Sequence, residues 1–312
     1  MWSDLLEAGI IVSVLAATVR IATPILFAAL GEVVAERAGV YNMGIEGMML
    51  MGAFAGWYAN YASGSPVIGF GAAMLAGVLM SLLFAVMVIT LEIEQIVTGL
   101  ALNLLGSGLS TYWLRSAFSD MNNVPGITIL QDVRIPLLAD IPYVGQILFD
   151  QRVVCYVALL AVPMIWLFLF RSRLGLEIRC IGENPKALDI KGRSVAARQY
   201  AAVLFGGLMA GLGGACLTIA ATAHFVPDMV NGRGWLAIVI VIAGGWNPWR
   251  VLIAALVFSF LDALQLQIQG VGIHIPYQIL LAMPYAVAIL ALMFRRKAGR
   301  APAMLGLSYR RE

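Results

Sequence analysis

The chain has 312 residues, 61% hydrophobic and 12% charged, with mean hydropathy +0.90 and a formal net charge of +3. That composition lies outside the range of soluble domains and predicts a polytopic α-helical membrane protein. Seven of the 20 Lys/Arg fall in residues 171–198 and six in the tail 295–312, so the positive balance reports membrane orientation, not a polyanion-binding surface.

The first residues, MWSDLLEAGI, lack the basic region of a cleavable signal peptide, so the first apolar segment is expected to be retained. At about 20 residues per crossing, spans are expected at 8–30, 44–62, 66–90, 95–114, 152–170, 199–222, 249–269 and 276–294. Arg20 falls inside the first, four residues before Pro24, where it either snorkels or pairs with another buried charge such as Asp262. Pro24, Pro163 and Pro284 are expected to kink their spans. Residues 31–47, GEVVAERAGVYNMGIEG, carry Glu32, Glu36, Arg37, Asn42 and Glu46 among four glycines. They predict a tightly turned backbone packed against protein, with Glu36 and Arg37 available for ionic contacts.

Polar or small residues recur at helical spacing in three spans. Gln95, Gly99, Asn103, Gly106 and Ser110 share one face, and Gly207, Gly211, Gly214, Thr218 and Thr222 another. Phe258, Asp262, Gln265 and Gln269 line up on a third. Close helix packing accounts for the glycine stripe. Asn42, Glu46, Asn103, Phe258, Asp262 and Gln265 are candidates for a translocation pathway, although hydrogen bonds between helices also suit the amides and Asp262.

Residues 115–151, nearly balanced in charge and containing Pro125, Pro136 and Pro142, predict an external loop. Residues 171–198 form a basic island that must sit in water on the cytoplasmic side. Within it Asn184 suits an N-cap, Pro185 the first helical position and Gly192 the C′ position of a helix through Lys191. So short a helix is unstable alone, so it either docks on a partner or is part of a solvated connector. The basic tail is also expected in the cytoplasm, so an even number of crossings must separate it from the island. Residues 235–246 then supply the missing crossing as a half-length helix after a polar stretch, 224–234, that dips into protein. Such helices are common at transport sites. Nine crossings follow, with the N-terminus outside, the C-terminus inside and a single transmembrane domain over 1–312.

Several chemistries are absent from the sequence. There is no GxxxxGK[ST] for nucleotide phosphates, no HExxH and no GxSxG. Cys155, Cys180 and Cys216 are scattered, with no CxxC. No enzymatic role is expected.

Three runs resemble one known family. GEVVAERAGVYNMGIEGMMLMGAF (31–54), IRCIGENPKALDIKG (178–192) and NGRGWLAIVIVIAGGWNP (231–248) occur in the order seen in permease subunits of ABC importers. These are the branched-chain amino acid, simple sugar and nucleoside permeases, and the chain looks most like the shorter permease of nucleoside-type importers. The resemblance implies an ATPase-coupling segment at Gly182, Glu183, Asn184 and Pro185, with Lys186, Ala187 and Leu188 in the helix that follows. It implies a partner ATPase that uses ATP and Mg, a second and different permease, an extracytoplasmic binding lipoprotein and a bacterial cell membrane. No cofactor is implied in this chain. The chain departs from the family at two places. Gly245 precedes Trp246 where relatives often have Lys, and Gly232-Arg233-Gly234 replaces a common Gly-Gln-Gly. Translocation of a nucleoside or similar solute is the reading. A sugar or branched-chain amino acid permease is the near alternative. A stand-alone ion-coupled transporter using Arg20, Glu46 and Asp262 is a more distant one, and a non-transporting assembly subunit a third.

Overall fold

The computed structural model describes residues 8–118, 125–136, 139, 141–270 and 301–309, with isolated positions between 282 and 293. The expected span at 276–294 lies largely outside the described residues. The described chain is mostly helical. It runs through α1 (Ala8–Arg37), α2 (Ile45–Ser63), α3 (Pro66–Ala85, continued by a π turn to Thr90) and α4 (Gln95–Ala117). A short antiparallel pair, β1 (Asp132–Arg134) and β2 (Asp150–Arg152), brackets α5 (Val144–Leu148). Then come α6 (Val153–Arg171), α7 (Arg173–Glu183), α8 (Pro185–Asp189) and α9 (Val195–Leu217, with a π turn to Thr222). A half-length α10 (Arg233–Gly244) and α11 (Pro248–Gly270) follow. Five of these segments, built on α1, α3, α6, α9 and α11, are long and apolar enough to cross a membrane.

The helices form one bundle with two distinct ends. At the loop end, the described residues of 125–152 fold over the tops of α1 and α9, with Ile127 and Leu130 N–H donating to the Ala223 and Ile219 carbonyls. At the basic end lie Arg37, α7, α8, Trp246 and residues 301–309. The centre is a glycine seam between α2, α3 and α9. A Cβ on Gly207 would strike the Gly77 carbonyl, one on Gly211 the Ala73 carbonyl, and one on Gly214 the Met49 carbonyl. The glycine stripe is therefore spent on backbone approach, which gains dispersion contacts without needing a large side chain.

Two sequence expectations change. The turn expected over 31–47 is confined to residues 38–44, because α1 continues as helix to Arg37. Its last turns stay helical because Glu32 and Glu36 find buried polar partners there. The basic island is also not a bare loop. α7 fills its first half, with Ser172 Oγ accepting from the Gly175 N–H at its start. Gly175, Ile178, Ile181 and Gly182 are buried on its inner face.

Candidate functional site

Two breaks in helical structure are linked through Glu46. One is 38–44, between α1 and α2. The other is 223–232, between the π turn after α9 and the start of α10. Asn103 lies eight residues into α4, about 12 Å from its basic end. Its Oδ1 accepts the Gly47 N–H at 2.8 Å and its Nδ2 donates to the Met43 carbonyl at 2.9 Å. That amide pins the start of α2 at mid-depth.

Glu46, in the first turn of α2, then reaches across to the other break. Its two carboxylate oxygens accept the Gly232 and Gly234 N–H groups, each at 2.7 Å. α10 has no capping side chain of its own, because Gly232 in left-handed conformation (φ 80°) occupies its N-cap. Glu46 supplies the missing anion from another helix, where the N–H groups and macrodipole of α10 favour negative charge. Asn42 completes the junction. Its N–H donates to Glu32 Oε1 at 3.0 Å, and its Oδ1 accepts the Gly44 N–H at 3.1 Å. Ser107 Oγ donates to Asp228 Oδ1 at 2.6 Å, tying α4 to the second break.

The basic end of α10 is held just as firmly. Gly245 and Trp246 are both left-handed, at φ 65° and 55°. A glycine at 245 relieves the Cβ clash of one of two consecutive left-handed residues. Arg37 donates from Nε and Nη2 to the Trp246 carbonyl at 3.2 and 3.1 Å, and the Trp246 indole donates to Glu36. So the cation on this turn comes from α1, and no Lys before Trp246 is required for one.

Residues 301–309 strap across this region. Met304 N–H donates to the Gly182 carbonyl at 2.8 Å, and Gly306 N–H to the Gly39 carbonyl at 3.1 Å. Tyr309 donates its hydroxyl to Asp189 Oδ2 at 3.2 Å. Between strap, α4 and α10 lies an open cavity of about 600 Å³ lined by Tyr41, Glu94, Gln95, Trp246 and Leu305. Tyr41 N–H donates to Gln95 Oε1 at 2.6 Å.

Residues 14–294 match the family described as the branched-chain amino acid transport system permease component. The chain belongs to that family. The candidate glucose ABC transporter permease TsgC13 of Haloferax volcanii is 40% identical over 265 residues, covering 82% of this chain and 78% of its own. Guanosine permease NupQ of Bacillus subtilis is 34% identical over 304 residues, with 94% and 95% covered. Nucleoside permease NupC of Lactococcus lactis is 32% identical over 300 residues, with 92% and 93% covered. In fold the chain is similar to a candidate metal-chelate type ABC transporter solved in an inward-facing conformation. The TM-score is 0.50 at 16% identity, over 94% of this chain and 90% of that one.

The chain is thus an ABC permease, a multi-pass membrane subunit and not an enzyme. Of its expected pathway residues, Asn42, Glu46 and Asn103 come together at the mid-depth junction, where their polar atoms hold backbone. Phe258 and Gln265 are buried in the permease, and Asp262 is half-buried. Arg20 does not pair with Asp262 as one sequence reading had it. Its Nε instead donates to Gln151 Oε1 at 2.9 Å.

The expected coupling residues divide by exposure. Glu183, Asn184 and Lys186 are exposed and Ala187 is half-exposed, whereas Gly182, Pro185 and Leu188 are buried. Leu188, 4% exposed, packs with Ile181 and Val195 inside the permease itself, while Ile190 stands 87% exposed. Asn184 occupies the N-cap of α8, but its side chain makes no capping bond. The helix ends at Asp189, short of Lys191, and Gly192 takes the left-handed conformation expected of it (φ 71°). Sequence reasoning passed over the strap. Its signal was the uncharged run Ala301-Pro-Ala-Met-Leu-Gly-Leu inside a basic tail.

Proposed function

We propose that this permease is one of two different membrane subunits of a bacterial inner-membrane ABC importer that carries a nucleoside. In this reading the loop end faces outward towards a binding lipoprotein. The basic end faces the cytoplasm, and Glu183, Asn184, Lys186, Ala187 and Ile190 meet the ATPase. Nine crossings satisfy the charge asymmetry. The observation that carries the mechanism is the two-ended grip on α10, by Glu46 at mid-depth and by Arg37 and Glu36 at the basic end. Gly182 packs on the Arg37 carbonyl so closely that a Cβ would overlap it. Movement of α7 and α8 on ATP binding therefore pushes on the end of α1, then on Trp246 and α10. α10 begins beside the mid-depth junction, where an alternating-access gate belongs.

Full-length likeness to NupQ and NupC supports a nucleoside. The half-exposed rings of Tyr58, Tyr61 and Trp113 at the loop end offer flat faces that suit a base. A sugar is the second reading, favoured by the higher identity to TsgC13. Uptake of labelled guanosine, uridine and glucose separates them, in vesicles holding the permease with its ATPase, partner permease and binding protein. ATP-dependent nucleoside uptake that survives a protonophore is expected. Glucose uptake without nucleoside uptake would overturn the substrate, and uptake that needs no ATPase would overturn the mechanism.

A further inference from the structure

Ser107 and Asp228 meet halfway along α4, about 18 Å of helix from its basic end and about 15 Å from the other. Ser107 Oγ donates to Asp228 Oδ1 at 2.6 Å, and among the described residues Oδ2 has no partner. Asp228 is exposed, and so is Asn231 three positions on. Both are left-handed, at φ 56° and 49°, and the Asn231 N–H donates to the Asp228 carbonyl at 3.0 Å, so one turn sets both side chains. With α4 crossing the bilayer, as the nine-crossing reading has it, this carboxylate stands at the depth of the hydrocarbon. An exposed charge there is costly against lipid tails and belongs where water or protein covers it. α6 makes the contrast, exposing Val157, Leu160 and Met164 along its middle. Phe225, three residues before Asp228, sits edge-on to Phe54 at 5.3 Å, and Phe54 stacks on Tyr58 and Trp113, each at 6.0 Å. The break 223–232 therefore leads from the aromatic group of the loop end to Gly232 at the Glu46 junction, with Asp228 between them.

An ionised carboxylate only accepts hydrogen bonds, and Ser107 fills one of its several acceptor sites. What remains selects a solute with neighbouring hydroxyl donors and repels a phosphate. We propose that Asp228 is a solute-contact residue of the translocation pathway, accepting the ribose hydroxyls of a nucleoside on its way from the aromatic rings to the Glu46 junction. Hydroxyl donors on a carboxylate make short, charge-assisted bonds. The Asn231 amide beside it both donates and accepts. The side of the permease formed by α4 and the break 223–232 then faces the aqueous path, and the α6 side faces lipid. The ribose contact deepens the nucleoside reading and rests on it, whereas the placing of the path on this side does not. Glucose offers the same pair of neighbouring hydroxyls, so the experiment must separate the two.

The test uses the assembled transporter with its binding protein in proteoliposomes, and labelled guanosine, 2′-deoxyguanosine and glucose as probes. The binding protein's own preference enters wild type and variant alike, so a change in the ratio of guanosine to 2′-deoxyguanosine uptake belongs to the permease. Asp228→Asn keeps an acceptor for Ser107 and tolerates the left-handed backbone, so the fold is retained. It should lower that ratio about fivefold. A second arm needs no change at 228. Cys155 and Cys216 are buried, and Cys180 lies at the basic end. Ser107→Cys should therefore be read cleanly by a charged, membrane-impermeant thiol reagent added at the loop end, in the ATP-free or the ATP-bound state. It should react, guanosine should slow the reaction, and Leu160→Cys on α6 should stay inert. Ser107→Cys as inert as Leu160→Cys in both states would overturn the placing of the path. A reactive Ser107→Cys with an unchanged uptake ratio in Asp228→Asn would overturn the ribose contact. Wild-type uptake of glucose without nucleoside would overturn the nucleoside reading and the ribose contact together, with the path still decided by the labelling.

Discussion

The Glu46 carboxylate lies 2.7 Å from the Gly234 N–H, so a residue at the start of α2 caps a helix 188 positions further along the chain. Its other oxygen holds Gly232 at the same distance. Both bonds are charge-assisted and mostly shielded from water, and Glu46→Gln replaces one acceptor with an NH₂ that faces a backbone donor. A loss of about 2 kcal/mol is expected at the junction, visible as a lower melting temperature of the purified permease. Uptake should fall with it. Glu46→Asp keeps the charge but shortens the reach, and should recover part of the stability. A Glu46→Gln protein that melts and transports like the wild type would remove Glu46 from the gate.

The glycine seam makes a contrast that composition alone does not. A Cβ at Gly214 would sit inside the Met49 carbonyl, whereas one at Gly108 meets nothing within 4 Å. Gly214→Ala must push α2 and α9 apart and should destabilise the bundle by about 1–3 kcal/mol or more. Gly108→Ala should be neutral, or more stable by up to about 1 kcal/mol, since alanine is the better helix former. Expression and melting temperature of the two variants, side by side, check this.

Most helix bounds were legible because long apolar runs punctuated by glycine and proline leave little choice of where a crossing starts. α10 was legible as a half-length helix from charge parity together with its 12 residues. The end of α1 was not. Glu32 and Glu36 read as a helix breaking into a polar turn, and their partners Asn42 and Trp246 lie 10 and 210 positions away. α7 hid behind the charges of the basic island, although Gly175, Ile178, Ile181 and Gly182 recur at helical spacing in plain sight. The site residues were legible as polar groups in apolar surroundings. That Asn42 and Asn103 serve backbone groups follows only from seeing which broken segments meet.

The strap predicts a coupling phenotype, not a folding one. Its backbone bonds to Gly182 and Gly39 tie α7 to the end of α1. Ending the chain before Ala301 should leave membrane insertion and ATPase binding intact. It should lower uptake per ATP hydrolysed, because α7 and α1 are then coupled only by the packing of Gly182 on Arg37 and not by hydrogen bonds through the strap as well. Tyr309→Phe removes one side-chain bond and should cost only about 1 kcal/mol locally. The measurement is solute transported against phosphate released in proteoliposomes. An unchanged ratio in the truncated permease would make the strap a passive tail.

Leu188 and Ile190 lie two positions apart in the proposed coupling segment, yet they face different surroundings. Leu188 sits at 4% exposure against Ile181 and Val195, and Ile190 at 87% with no apolar cover. A charge at 188 must be buried beside that small cluster, which costs several kcal/mol unless the loop opens. Leu188→Asp should therefore disorder α8 and lower the yield of folded permease, before any question of docking arises. Ile190→Asp places its charge in water in the isolated permease and should leave yield and melting temperature unchanged. If Ile190 meets the ATPase, as proposed above, the same change replaces an isoleucine that covers apolar surface there with a solvated carboxylate. Co-purification of the ATPase should weaken and uptake should be lost, while Ile190→Leu retains both. If Ile190→Asp binds the ATPase and transports normally, the docking face lies elsewhere on the basic end, with the exposed Glu183 and Lys186 the next residues to exchange.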